Sequence, residues 1–230
     1  MQSPLSSDGL AERSHFRVLE PRPGLRQRAL DALYGVNRQF LDLLCAQART
    51  APLQHPFMDP VRSRLANLST GERLHMSRCC VLLVDAGFSD SRRWQGLKDT
   101  MSSAGAAAIE SRRQSEWLPA EEGRLMAQST LLVAWSLLQW NPAEACVLLG
   151  MSRDTSAIIE NFKVDELSII AARYPDWITP RWTQHPRAWL ELIRFATPSA
   201  SQNVAFGTLR CLQLSGGHSR RLDCYVDERP

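Results

Sequence analysis

Lysine is almost missing from this chain: Lys98 and Lys163 are the only two, so nearly all of its 27 basic residues are arginine. A bias this uniform more often reflects a GC-rich coding sequence than a function, although each guanidinium still offers a planar fork to phosphate or carboxylate. Excess charge is scarce too. A net +3 at pH 7 falls short of the clustered basic surface that announces a nucleic-acid partner, and it leaves such a partner open. No CxxC pair occurs among the six cysteines at 45, 79, 80, 146, 211 and 224, and four of them lie in apolar runs such as CCVLLV and EACVLLG. They read as small buried hydrophobes of a reducing compartment. Cys211, His218 and Cys224 flank the Gly216-Gly217 turn without the close ligand pairs of a zinc site, so no metal is expected there. No apolar run reaches the ~20 residues of a membrane span. No basic patch followed by an apolar stretch opens the sequence, and a cytoplasmic protein is expected. GxSxG, HExxH, a glycine-rich phosphate loop and paired-carboxylate motifs are all missing, and the five histidines at 15, 55, 75, 185 and 218 are scattered. Neither catalysis nor a cofactor is expected.

What is present is the balance of a folded protein: 44% hydrophobic and 22% charged residues over 230 positions, enough for a real core. Residues 1–24 are polar and broken by Pro21, Pro23 and Gly24, which reads as an N-terminal arm. Leu25, Ala29, Leu33, Val36, Phe40, Leu43 and Leu44 then recur at three and four, the period of an amphipathic helix. A second helix is predicted over LSTGERLHMSRCCVLLVDAGF, capped by Ser69 or Thr70, with Glu72 in its first turn and Gly87 as its stop. CCVLLV alone would pass for a buried strand, but no neighbouring run alternates as a partner strand would. A short helix follows near SRRWQGLKD. The small, polar stretch 100–117 is the candidate linker between an N-terminal helical part, 25–99, and a C-terminal one, 118–214, with a tail at 215–230.

The C-terminal part opens with LPAEEGRLMAQSTLLVAWSLLQW, Pro119 at its start and Glu121 and Glu122 beside the positive end of the helix dipole. Its apolar surface is too wide for one neighbour, so the helix is either the centre of a bundle or a subunit interface, with Leu131, Leu132, Trp135 and Leu138 as the candidate dimer contacts. Short helices follow at NPAEACVLL, SRDTSAIIENF and VDELSIIAARYP, with Asn141, Ser152 and Asp165 able to cap their starts, and HPRAWLELIRFA and NVAFGTLRCLQL read as two more. The fold class predicted is all-α, a helical bundle.

The stretch LLGMSRDTSAIIENF, residues 148–162, has the form of a helix, a glycine corner and a second helix capped by Ser152. A helix-turn-helix places a small residue in its first helix, here Cys146, a glycine in its turn, here Gly150, and then presents the start of its second helix to the major groove. Arg153 suits guanine or phosphate, and Thr155 a phosphate or a thymine methyl. Lys163, Arg173 and Arg181 complete the candidate nucleic-acid contacts. Against this, Asp154 sets a negative charge on the approaching face, and Ser156 stands where an apolar anchor is usual. A glycine followed by a serine cap is also an ordinary joint between packed helices. Trp177, Trp182 and Trp189, near Arg181 and Arg187, either stack on bases or staple a helix corner with arginines over their rings.

Residues 130–182 resemble, without a gap, the flagellar transcriptional activator subunit FlhD. The likeness is carried by leucines 131, 132 and 137, Ala134, Ala143, Ala145, Leu149, Gly150, Ser152, Ala171 and Arg181, with Asn141, Met151, Val164, Leu167 and Trp182 as conservative matches. The resemblance implies an all-helical C-terminal part, a homodimer built by the first helix, and a regulator acting on duplex DNA directly or through a second regulatory subunit. Ile178 and Thr179 stand where that family has a cysteine and a histidine, so no intersubunit disulfide is implied. Two functions of different class remain: an FlhD-like transcription regulator, and a non-enzymatic helical assembly factor of a bacterial secretion or motility system that binds no nucleic acid.

Overall fold

The computed structural model describes residues 23–50, 59–103 and 115–196. Pro23 opens the first helix, α1 (Pro23–Thr50), where its fixed φ and missing N–H suit a first turn. The spacing seen in the sequence carries Leu33, Val36, Phe40, Leu41, Leu44 and Ala48 into the core. The two short helices α2 (Asp59–Ala66) and α3 (Thr70–Ser77) pack against it. Arginine forks tie these three together. Arg49 Nε donates to Ala66 O at 2.8 Å, Arg62 Nε to Ala48 O at 3.1 Å, and Arg73 Nε reaches Asp42 Oδ1 at 2.7 Å. The carbonyls at the ends of α1 and α2 have no partner within their own helices, and arginine supplies it.

Ser69 and Glu72 start α3 as a full capping box: Ser69 Oγ accepts from Glu72 N at 3.2 Å, and the Glu72 carboxylate accepts from Ser69 N at 2.9 Å. Those bonds favour the ionised carboxylate, so the Glu72 pKa lies below its ordinary value. The helix then stops ten residues before Gly87. The expected continuation through CCVLLV is corrected here. Val81, Leu82, Leu83 and Val84 are fully buried, yet they run as bends into β1 (Val84–Asp85). Its partner is β2 (Thr179–Pro180), almost a hundred residues away, antiparallel with Val84 opposite Pro180 and Asp85 opposite Thr179. A two-residue partner has no alternation to read. Asn37, one side chain on α1, supplies most of the rest: its Nδ2 lies 2.9 Å from Val81 O, 3.3 Å from Ser77 O and 3.4 Å from Cys79 O, while its Oδ1 accepts from Leu83 N at 2.8 Å.

Helix α4 (Ser91–Ser103) falls where SRRWQGLKD placed it and reaches into the stretch expected as linker. Residues 104–114 lie outside the described residues, and just after them Ser115, Trp117 and Leu118 are buried. Ser115 Oγ there accepts from Trp117 N and Leu118 N. Of the expected arm at 1–24, Pro23 and Gly24 already belong to α1, and residues 1–22 lie outside the described residues, as do the expected helix at NVAFGTLRCLQL, the tail at 215–230 and Cys211, His218 and Cys224.

Helix α5 (Ala120–Trp140) runs through the middle, flanked by α1, by α6 (Pro142–Leu149), α7 (Arg153–Glu160) and α8 (Val164–Arg173), and by the 3-10 turn Pro175–Trp177. Part of the wide apolar surface thus finds cover within the chain, while Leu132, Val133, Trp135 and Trp140 stay half-buried and Leu125 is exposed. Met126, Ala127, Leu131, Ala134, Leu137 and Leu138 are all buried. Each large apolar side chain removed from water contributes roughly 1.5–3 kcal/mol. Helix α9 (Pro186–Arg194) packs Trp189, Leu192 and Ile193 inward and lies against α2 and α3. One apolar cluster, from Leu33 to Ala196, joins side chains of both expected halves. Among the described residues the fold is an all-α bundle of nine α-helices with that single two-residue bridge.

Candidate functional site at the glycine corner

Asn141 and Ser152 set the two helices of the corner. Asn141 Oδ1 accepts from Glu144 N at 3.2 Å to start α6, and Ser152 Oγ accepts from Thr155 N at 3.1 Å to start α7. Between them Gly150 takes the left-handed conformation, φ 68°, and the N–H of Met151 closes on Cys146 O at 2.9 Å. The cap and turn chemistry therefore stand as the sequence set them out.

Gly150 is glycine for a second reason. The guanidinium of Arg181 lies where a β-carbon would be, in contact through Nη2 and Cζ. Arg181 Nη1 is within 3.2 Å of both Leu82 O and Leu148 O, its backbone N–H donates to Leu83 O at 2.8 Å, and its carbonyl accepts from Trp189 Nε1 at 2.6 Å. Arg181 Cζ lies 5.1 Å from the centroid of the Trp182 ring, and Trp182 itself has φ 60°. Loss of water around this cation lowers its pKa, and the carboxylate of Asp85 acts in the opposite direction. Leu82 N adds a 2.8 Å bond to Leu148 O, and Ser152 N a 3.2 Å bond to Phe88 O. One joint thus ties together the buried segment 82–88, the glycine corner and the entry to α9.

The candidate nucleic-acid contacts separate on this frame. Thr155 is fully buried, and its Oγ1 accepts from Ser152 Oγ at 2.8 Å. Arg181 is turned into the joint. Arg173 is half-buried near the end of α8. Only Arg153 and Lys163 of the five are exposed, Arg153 opening α7 and Lys163 standing at the N-cap of α8, where its N–H donates to the Glu166 carboxylate at 2.7 Å. Ser156, buried in place of an apolar anchor, donates to Arg153 O at 2.8 Å and so satisfies itself within the first turn. The exposed residues of α7 are Arg153, Asp154, Ala157 and Glu160, which leaves that helix one net negative charge toward solvent. Asp154 beside Arg153 and Glu160 at the far end thus outweigh the helix's one exposed cation.

Of the candidate dimer contacts, Leu131 and Leu138 are buried in the chain's own core, while Leu132 and Trp135 are half-buried. Trp135 Nε1 donates to Phe162 O at 3.0 Å. The tryptophans beyond α8 act as staples. Arg93 sits 4.0 Å over Trp177, which in turn meets Trp94 edge-on at 5.2 Å and stacks on Tyr174 at 4.6 Å. The outward side of α6 has a different character. Pro142, Ala143 and Val147 are exposed and Cys146 half-exposed, and Val147 at 62% is the most exposed of the large apolar side chains among the described residues.

Asn37 is the residue that periodicity alone passes over. It lies four after Leu33 and four before Leu41, squarely in the apolar stripe of α1, and a polar residue in that register is the signal that could have exposed it. Among the described residues no three His, Cys, Asp or Glu side chains group as metal ligands, and no helix is long and apolar enough to cross a membrane. Protein-family models, characterised proteins and solved structures offer no match to this chain.

Proposed function

We propose that this chain is a non-enzymatic helical interaction protein, an assembly or accessory factor that works by contact with other proteins and not by reading nucleic acid. The observation that carries this reading is the inward commitment of the corner. Thr155 and Arg181 are spent on internal bonds, and the second helix turns a net negative charge outward. The outer side of α6 around Val147, flanked by the half-exposed Glu144, is the contact surface in this reading. The setting in this reading is a bacterial secretion or motility system.

The second reading, an FlhD-like regulator acting as a homodimer with a second regulatory subunit on duplex DNA, is supported by the order helix, left-handed glycine, serine-capped helix. Titration of the purified chain against duplex DNA over a range of salt concentrations separates the two. Each phosphate neutralised steepens the fall of log affinity with log salt by about 0.9. The interaction reading expects no retardation at about 0.1 M salt, for the native chain and for the R153A/K163A pair alike. A salt-sensitive shift that R153A/K163A weakens and flattens would establish the regulator instead.

A further inference from the structure

We draw no further inference here: the strongest candidate, the uncharged outer strip of α6 formed by Ala143, Cys146 and Val147, is an unpartnered apolar helix face, and nothing in the structure shows what covers it.

Discussion

Two inward-turned polar side chains, the buried Asn37 and the half-buried Arg181, do what no apolar residue in their places could. Each offers several hydrogen bonds to backbone that has no helix or sheet to satisfy it, and an orphaned buried carbonyl or N–H costs about 1–3 kcal/mol. The amide of Asn37 has two protons for three nearby carbonyls, so the 2.9 Å bond to Val81 O is the principal one and the two longer approaches share what is left. Asn37→Ala is expected to cost roughly 2–4 kcal/mol, read by urea denaturation, because the N–H of Leu83 and the carbonyl of Val81 both lose their partner. A cost near that of an exposed substitution would show that the segment 79–84 is held by something else. At the same scale, burial pushes the Cys45 thiol up to about 11, whereas Cys80 is exposed. Since the thiolate is the reactive form, brief alkylation at pH 8 is expected to label Cys80 and spare Cys45, with mass spectrometry of the peptides as the readout.

Helices whose signals are local could be read directly from the chain. Ser69 with Glu72, Asn141 with Glu144 and Ser152 with Thr155 each form the expected cap, whereas Asp165, expected to cap α8, lies inside its first turn with Lys163 at the N-cap. The stretch 79–85 could not be read, because its partners are a lone asparagine forty residues earlier and a bridge almost a hundred residues later. Nor does sequence say whether the apolar face of α5 is covered by its own chain or by a second copy, since both bury the same residues. Leu138→Ala resolves this by energy and concentration together. It is expected to lower stability by about 2–5 kcal/mol, by a margin that does not change with protein concentration. A concentration-dependent loss would place Leu138 between subunits. The α3 cap carries a pH signature. Glu72 has a lowered pKa in the folded chain, so its contribution is present above the unfolded value, near 4.5, and is lost as pH falls through the folded one. An NMR titration of the Glu72 carboxyl is expected to give a midpoint below 4.5, moving back up toward it in Ser69→Ala. That variant itself is expected to lose about 1 kcal/mol.

Over the whole molecule, three stretches far apart in the chain meet at one place: the buried strand entry at Leu82 and Leu83, the corner at Leu148 to Gly150, and Arg181 before α9. Because side chains from both ends of the described chain share one core, unfolding followed by tryptophan fluorescence and by far-ultraviolet circular dichroism is expected to give coincident transitions. The corner's shape was legible from Gly150 and Ser152, but its role was not. The same pattern serves a groove reader and a packing joint, and the joint reading rests on the inward positions of Thr155 and Arg181. A double-mutant cycle on Gly150→Ala and Arg181→Ala tests that position most directly. Gly150→Ala alone meets both the left-handed backbone and the guanidinium, and Arg181→Ala removes the second obstacle. The joint described here requires a coupling of roughly 1 kcal/mol or more, with alanine at 150 tolerated better once Arg181 is gone. Strict additivity of the two costs would mean that the guanidinium does not occupy the corner, and would return Arg181 to the candidate nucleic-acid contacts.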